Sequence, residues 1–467
     1  MRYSRSLAFF PDGLLIAGVP VGGLDHTESA ARLLEVYSAP VEVFYEEAAI
    51  HLDPSIVEFR PDLEGMLAVA DHVRLQLPFW TGFWSFLWGR PPTLPAEISL
   101  LASYSEVRLR AYLKDEIAAR YDQSPVPSLP YAGTINFNPG IPGTFLDIER
   151  AIAMIDNALR SSSNRSVTLP LQRIDPEPPA FQNLEILLKQ TIDLSGFDGL
   201  AGLFLLDLET GREIHFIYQK GESLPIVPDV SFTAASIIKI PIMVSVFRRI
   251  GEGPDPETTR LLEQMIEQSG NDPADWVMGR VIDRRIAPML VSADLKSLGL
   301  ESTFLAGGFY PGAPLLAIFQ TPANQRLDVN TDPDIYTQTT PSEIGMLLED
   351  LYQCSQSGGG ALVAVFSGEI TQSECQTMIA LLTRNKLGLL IEAGVPDGTR
   401  VAHKHGWTTL FGVMNTLGDA GIVYTPGGNY VFVIFLHQPT QLIWDPASEL
   451  VSNLSQAVYN YFNVPGQ

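Results

Sequence analysis

The sequence predicts an α+β protein in two parts, a smaller N-terminal part with repeated strand and helix patterns and a larger second part. Between them, the Pro-rich stretch "IDPEPPA" (174–180) indicates a linker. The second part has helical patterns at both ends and apolar strand patterns just inside them. This order is typical of an antiparallel sheet flanked by terminal helices, with a helical lobe inserted between its strands. We therefore divide the chain into residues 1–185 and 186–467.

The composition indicates a folded protein that does not bind nucleic acid. The chain has 467 residues, of which 46% are hydrophobic, enough for two or three domains. Its formal net charge of −23 leaves no basic surface to neutralise phosphates. No stretch reaches the roughly 18 to 20 apolar residues of a spanning helix, so no transmembrane segment is predicted in this chain.

The first part contains two segments of the same order: strand, Gly-rich or Pro-rich turn, amphipathic helix, strand. They are "IAGVPVGGLDHTESAARLL" (16–34), where Thr27 is the predicted helix N-cap, and "NPGIPGTFLDIERAIAMIDNAL" (138–159), followed by "VTLPLQRIDPEPP" (167–179). They resemble the peptidoglycan-binding repeats that precede catalytic domains in exported cell-wall proteins. The resemblance implies peptidoglycan as a partner and a location outside the cell or in its envelope, with an export signal or anchor upstream of Met1.

Trp80, Trp84 and Trp88 recur at every fourth position within "FWTGFWSFLWGRPP" (79–92), on one face of a predicted helix. Such a stripe favours a packed hydrophobic face, or a face close to a membrane. A platform for stacking sugar rings is the alternative.

The chain has only two cysteines, Cys354 and Cys375, too few for a disulfide framework or a zinc site. Both lie in segments with helical patterns. They form either a bridge between neighbouring helices, in an oxidising compartment, or two buried thiols.

The elements of the second part follow in order from the hydrophobic pattern. A helix (181–193) precedes two strands, "LAGLFLLDL" (200–208) and "REIHFIYQ" (212–219). A long helical middle follows. Two late strands, "GDAGIVYT" (418–425) and "NYVFVIFLHQ" (429–438), precede the final amphipathic helix (446–462).

Three short motifs carry the chemistry of this part. They are Ser236-Ile237-Ile238-Lys239, then Ser269-Gly270-Asn271, then Lys404-His405-Gly406. Each is weak alone, but their conjunction in the order S-x-x-K, S-x-N, K-x-G is the signature of active-site-serine penicillin-recognising enzymes. A serine hydroxyl needs a base to attack a carbonyl, and Lys239 lies one helical turn away. Apolar neighbours and the nearby charge of Lys404 lower the pKa of a lysine in the required direction.

The sequences around the motifs are similar to those of class A β-lactamase-like serine hydrolases. The phrases are "TAASIIKIPIMV" (233–244), "SGNDPADWVM" (269–278), "YTQTTPSEIGMLLEDLY" (336–352) and "VAHKHGWTTLFG" (401–412). The resemblance implies a β-lactamase/D,D-peptidase-like fold.

The resemblance also implies a role for each residue of the motifs. The backbone amides of Ser236 and Trp407 form the oxyanion hole. Ser269 relays a proton to the leaving amine, and Asn271 binds the amide side chain of the substrate. Lys404 orients Ser269 and attracts a substrate carboxylate, in a pocket to which His405 and Gly406 contribute.

Two departures from the family pattern shape the predicted function. His405 stands where the family has Thr or Ser, whose hydroxyl helps to bind the substrate carboxylate. The stretch 307–334, where class A β-lactamases carry the glutamate that activates the deacylating water, contains no glutamate. An acyl-enzyme is therefore expected to persist, as in a D,D-peptidase or penicillin-binding protein.

Two functions are compatible with the sequence. The first is a serine hydrolase or acyltransferase that forms an acyl-enzyme at Ser236 with a peptide, ester or β-lactam carbonyl. The alternative is a non-catalytic cell-wall-binding protein with a degenerate hydrolase domain. Neither requires a cofactor, and the seven histidines form no metal-binding sequence motif.

Overall fold

The structure is a computed structural model that describes residues 8–75, 79–88, 93–251, 253–385, 387–410 and 412–464. The chain forms two compact units, Met1–Val126 with Ile141–Pro176, and Pro127–Gly140 with Glu177–Gln467. Residues 127–140 thus lie in the second unit, whereas the sequence placed them before the boundary. A hydrogen bond from the Asn460 side chain to the carbonyl of Ile135 ties this segment to the last helix, at 3.0 Å.

The first unit contains short strands and helices. The helices are α1 (His26–Ser38), α2 (Leu63–Leu75), α3 (Phe79–Leu87), α4 (Glu106–Tyr112), α5 (Ala119–Tyr121) and α6 (Ile148–Arg160). The strands are β1 (Asp12–Ile16), β2 (Val19–Pro20), β3 (Val41–Tyr45), β4 (Ala48–Leu52), β5 (Arg60–Pro61), β6 (Thr93–Ile98) and β7 (Ala102–Ser103). Next come β8 (Leu129–Pro130) and β9 (Phe137–Asn138), both in the second unit, then β10 (Gly143–Leu146), β11 (Ser166–Thr168) and β12 (Leu171–Ile174).

The two repeated segments occupy related places in the first unit. In each, a helix, α1 or α6, is followed by a strand, and these two strands, β3 and β11, pair in parallel. The predicted N-cap of α1 was wrong. Asp25 caps the helix, because its side chain accepts the Glu28 N–H and the Glu28 side chain accepts the Asp25 N–H.

Trp80, Trp84 and Trp88 lie on the surface of the first unit. Their exposed fractions are 67%, 57% and 79%. The prediction of a packed face is therefore wrong for these three side chains. In the described part of the chain, no helix combines the length and the apolar character needed to cross a bilayer.

The second unit contains the remaining elements. Its helices are α7 (Phe181–Leu194), α8 (Lys239–Phe247), α9 (Pro256–Glu267), α10 (Asn271–Val277), α11 (Ala287–Ser297), α12 (Pro341–Ser357), α13 (Ala361–Val365), α14 (Gln372–Leu382) and α15 (Trp444–Phe462). Its further strands are β13 (Leu200–Asp207), β14 (Glu213–Gln219), β15 (Glu222–Leu224), β16 (Phe232–Thr233), β17 (Phe304–Leu305), β18 (Thr337–Thr339), β19 (Arg400–Leu410), β20 (Val413–Tyr424) and β21 (Tyr430–His437).

A six-stranded antiparallel sheet in the order β15-β14-β13-β21-β20-β19 organises this unit. Alternate residues of its central strands enter two separate hydrophobic cores, since side chains along a strand point to opposite faces. One core contains the buried faces of α7 and α15, and the other contains those of α8 to α12 and α14. The predicted fold, an antiparallel sheet flanked by terminal helices with a helical lobe, is confirmed. In this arrangement β19 is an edge strand.

Cys354 and Cys375 form a disulfide that joins α12 to α14. Both residues are fully buried in the core on the lobe side of the sheet. Of the two alternatives left open by the sequence, the structure has the bridge.

Replacing both cysteines with alanine is expected to lower the free energy of unfolding by about 2–4 kcal/mol, because the bridge restricts the unfolded chain across a separation of 21 residues. Urea unfolding of the wild type with and without reductant, beside the Cys354→Ala/Cys375→Ala variant, measures the effect. Reductant should destabilise only the wild type. Equal stability of the oxidised and reduced wild type would contradict this role of the bridge.

Candidate functional site

Ser236 lies where the edge of a small sheet passes into the helical lobe. Strand β16 leads into a 3-10 turn, Ala235–Ile238, which continues directly as α8. The Ala234 N–H donates to the carbonyl of Thr337 in β18, at 3.2 Å, and fixes the start of the turn. Ala235 has a φ of 46°, a strained value for a residue with a Cβ. The surrounding structure therefore holds the backbone just before the serine in this conformation.

The amine of Lys239 lies at the centre of the site, and the side chain is fully buried. Its Nζ lies 2.9 Å from Ser236 Oγ, 2.7 Å from the carbonyl oxygen of Ser269 and 2.8 Å from Asn271 Oδ1. The last two atoms can only accept hydrogen bonds, so they use two of the amine hydrogens. A neutral amine then has its lone pair left for the third neighbour, the hydroxyl of Ser236.

The electrostatics of the site favour this neutral form. Burial, together with the nearby charge of Lys404, lowers the pKa of Lys239 to about 7, although Asp275 acts in the opposite direction. The helix that carries Lys239 is buried along its whole length, which supplies the desolvation. Lys239 can therefore lose its proton near neutral pH.

Ser269 links the two buried lysines. Its backbone has a φ of 57°, which directs its carbonyl to Lys239. Its Oγ accepts a hydrogen bond from Lys404 Nζ at 2.9 Å and lies 3.4 Å from Lys239 Nζ. Burial lowers the pKa of Lys404 to about 8, opposed by the carboxylate of Asp419. The structure thus brings together Ser236, Lys239, Ser269, Asn271 and Lys404 from segments far apart in the sequence.

Gly406 is the point where β19 approaches the turn that carries Ser236. A Cβ on Gly406 would lie 2.7 Å from the backbone nitrogen of Ser236 and 3.1 Å from that of Ile237. No side chain fits there without moving the turn. This close approach explains the glycine in the third motif.

An open cleft of about 380 Å³ exposes the site. Its lining residues are Ala235, Ser236, Asn271, Gly307, Gly308, Phe309, Tyr310, Gly312, Ala313, Asp334, Tyr336, Thr337, Trp407 and Thr408. Asn271 accepts from Lys239 through Oδ1, which leaves its amide N–H groups for a bound molecule.

The side chain of His405 lies away from this cleft, contrary to its predicted place in the substrate pocket. Neighbouring residues of β19 point to opposite faces of the sheet, and Lys404 takes the face toward Ser269. The ring of His405 is 1% exposed and stacks on Trp407, with centroids 5.2 Å apart. Trp407 in turn meets Trp444 of α15 at 5.1 Å. Trp407 itself borders the cleft.

His405 belongs to a buried hydrogen-bonded network that the sequence did not reveal. His403 Nδ1 lies 3.0 Å from the carboxylate of Asp419, and the Asn385 amide lies 3.0 Å from His405 Nδ1. Burial lowers the pKa of His403, but Asp419 outweighs it and raises the value to about 9. Burial lowers the pKa of His405 to about 4. His403, His405 and Asp419 are close enough to share a metal ion. In the structure His403 pairs with Asp419, and His405 pairs with the Asn385 amide.

Asp275 and Phe309 complete the wall beside Lys239. The two carboxylate oxygens of Asp275 accept the Phe309 N–H at 2.9 and 3.0 Å, and this positions the loop. The Phe309 ring centroid lies 5.3 Å from Lys239 Nζ. Asp275 follows Asn271 at the i+4 position of α10, a spacing that would have identified it as a neighbour of the site.

The fold and the site together define the class, an α+β domain in which a sheet and a helical lobe enclose a serine beside a buried lysine. The sequence model of the beta-lactamase enzyme family matches residues 187–266 and 256–462. The chain belongs to this family.

Comparison with solved structures gives matches at low identity. PBP-A is 21% identical, over 61% of this chain and 97% of that chain, with a TM-score of 0.42. A beta-lactamase from Xanthomonas campestris is 15% identical over 59% and 97% of the two chains, with a TM-score of 0.42. One from Sphaerobacter thermophilus is 17% identical over 62% and 100%, with a TM-score of 0.43. Comparison with curated proteins gives no significant match.

Replacing Lys239 with methionine is expected to stabilise the protein more strongly at low pH. The unfolded chain keeps the ordinary lysine pKa of about 10.4, whereas the folded value is about 7. Between these values only the unfolded state binds the proton, so wild-type stability falls as pH decreases and is constant below the folded pKa. The stability gained by Lys239→Met should therefore grow by about 2–3 kcal/mol from about pH 9 to about pH 6.

Urea unfolding across this pH range measures the difference. Lys296→Met, on the exposed side of α11, is the matched control and should show no such trend. A constant difference between Lys239→Met and wild type would mean that Lys239 keeps an ordinary pKa in the folded state.

Proposed function

We propose that this protein is a serine hydrolase or acyltransferase that forms an acyl-enzyme at Ser236 with a peptide, ester or β-lactam carbonyl. The observation that carries the proposal is the position of Lys239 Nζ, 2.9 Å from Ser236 Oγ. Its other close neighbours, the Ser269 carbonyl and Asn271 Oδ1, leave the lone pair of the neutral amine for the serine hydroxyl. This arrangement supplies the base that a serine nucleophile requires.

In the acylation step, Ser236 Oγ bonds to the substrate carbonyl carbon while its proton passes to Lys239 Nζ. The backbone amides of Ser236 and Trp407 stabilise the oxyanion, as donors placed where negative charge develops. Collapse of the intermediate breaks the bond to the leaving group. That group takes a proton through Ser269, whose hydroxyl lies between Lys239 and Lys404.

The acyl-enzyme is expected to be long-lived, which favours a D,D-peptidase-like or penicillin-binding role over efficient β-lactam hydrolysis. Hydrolysis requires a base beside the ester to activate water. The aromatic ring of Phe309 occupies the space next to Lys239, and Asp275 uses both oxygens to hold the Phe309 backbone.

The proposed place of action is outside the cytoplasmic membrane, with peptidoglycan as the material to which the first unit binds. The buried Cys354–Cys375 bridge supports an oxidising compartment. The repeated helix and strand segments of the first unit are the source of the binding proposal.

Labelling with a fluorescent penicillin or a fluorophosphonate should mark the wild type and be lost in Ser236→Ala. The labelling rate should rise roughly tenfold per pH unit below the Lys239 pKa and level off above it, since only the neutral amine accepts the proton. In-gel fluorescence at a series of pH values measures this rate. Ser245→Ala, a buried serine on α8, is the control and should label like the wild type.

The absence of labelling by both reagents, in a folded protein that binds peptidoglycan, would favour the alternative of a non-catalytic wall-binding protein. A labelling rate independent of pH would exclude Lys239 as the base.

Phe309→Glu is expected to shorten the lifetime of a penicillin adduct, because it places a carboxylate beside the acyl-enzyme. A general base contributes about 10²–10⁴-fold to such a step. Intact-mass spectrometry over time, after removal of free penicillin, measures the decay of the adduct. Phe309→Gln is the matched control, with the same shape but no base. Equal decay of the two variants would show that the missing carboxylate does not limit deacylation.

A further inference from the structure

Asp334 is the charged residue on the wall of the cleft that contains Ser236. Among the described residues that line this cleft, it is the single carboxylic acid, and none is a lysine or an arginine. Lys239 and Lys404 lie behind the wall and are fully buried. A molecule that enters the cleft therefore meets one fixed negative charge at its surface.

The position of Asp334 is tied to the segment that carries the nucleophile. Its backbone N–H donates to Thr233 Oγ1 at 2.8 Å, three residues before Ser236. Its carboxylate Oδ1 accepts the Tyr336 N–H at 3.0 Å. The neighbour of Oδ2 is Thr337 Oγ1, at the long distance of 3.5 Å. One carboxylate oxygen is thus held in place, and the other keeps most of its capacity for a bound group.

Aromatic side chains line the cleft together with this carboxylate. Tyr336 is fixed by a hydrogen bond from its hydroxyl to the Ala313 carbonyl, at 3.0 Å. Tyr310 and Trp407 are 51% and 38% exposed, so their rings are accessible. A carboxylate among aromatic rings is the combination that binds ammonium groups, through charge and through the negative face of the rings.

The usual recognition of a substrate carboxylate is weakened in this cleft. The family places a hydroxyl after the lysine of the third motif, and the residue here, His405, points away from the cleft and is 1% exposed. Its imidazole ring is neutral near pH 7, so it offers no positive charge to a substrate carboxylate. The cleft therefore lacks the hydroxyl that this position supplies in the family, whereas it has a carboxylate on its wall.

We propose that the cleft selects acyl donors that carry an ammonium group, and that Asp334 is the residue that binds this group. This inference rests on the proposed acylation of Ser236. It names the chemical class of the acyl donor, a peptide or ester that carries a cationic group. The net charge of −23 acts in the same sense at long range, since it raises the local concentration of cations.

A pair of esters that differ only in charge tests the proposal. The p-nitrophenyl esters of 4-(trimethylammonio)butanoate and of 5,5-dimethylhexanoate have the same shape, with a quaternary nitrogen in one and a quaternary carbon in the other. Release of nitrophenolate gives kcat/KM for each ester. The wild type should prefer the cationic ester by about five- to tenfold. Asp334→Asn should reduce this preference to about one, through a lower kcat/KM for the cationic ester.

Asp332→Asn is the matched control. Asp332 is an exposed residue two positions away, outside the cleft lining, and its φ of 42° is tolerated by asparagine. This variant should keep the wild-type preference, which separates the local contact of Asp334 from the overall charge of the protein.

The outcomes distinguish this inference from the function on which it rests. If both esters acylate Ser236 and Asp334→Asn keeps the wild-type preference, or lowers both rates equally, the ammonium site is wrong and the acyl-enzyme stands. If neither ester acylates Ser236, both the acyl-enzyme and the ammonium site are overturned.

Discussion

The hydrogen-bonding capacity of one buried amine determines how the rest of the site is built. Lys239 Nζ has two neighbours that can only accept, the Ser269 carbonyl and Asn271 Oδ1, and a third that can donate, the hydroxyl of Ser236. In the charged amine a third hydrogen points to Ser236 Oγ, and no lone pair is left to accept the proton of the serine hydroxyl. The neutral form therefore requires an environment that disfavours the charge. Complete burial and the proximity of Lys404 do this. The apolar helix α8 therefore lowers the pKa of Lys239 as well as forming part of the core.

The buried lysines and the strained backbone of the site lower the stability of the second unit. Two fully buried lysines, Lys239 and Lys404, have lowered pKa values, so each makes the folded state less favourable near neutral pH. Ala235 and Ser269 add backbone strain at positive φ. Large cores on both faces of the sheet and the disulfide between α12 and α14 offset these terms. The geometry of the candidate site is thus held by the packing of the whole unit.

The sequence allowed the fold of the second unit to be predicted because its strands and terminal helices have clear hydrophobic periods. It also allowed the cluster of Ser236, Lys239, Ser269 and Lys404 to be predicted, because the order of the three motifs is informative. The direction of the His405 side chain follows from strand alternation once Lys404 is assigned to the cleft side. The comparison with the family motif instead led to the prediction that His405 lies in the substrate pocket. Asp334, Phe309 and Asn385 could not be placed, since loops and long-range packing position them. The prediction of a packed face for the three tryptophans was wrong for a related reason. Periodicity identifies side chains that share a face of a helix, but it does not identify what that face contacts.

The charges of the site are arranged so that a positively charged substrate would assist the reaction it undergoes. A cation in the cleft adds to the field of Lys404 and disfavours protonation of Lys239, since like charges lower the pKa of a lysine. In the proposed complex Asp334 compensates that cation at the cleft wall. A substrate anion would have the opposite effect, because it would stabilise the protonated base. The carboxylate of Asp334 thus acts on the cation of the substrate, whereas burial and Lys404 act on the pKa of Lys239.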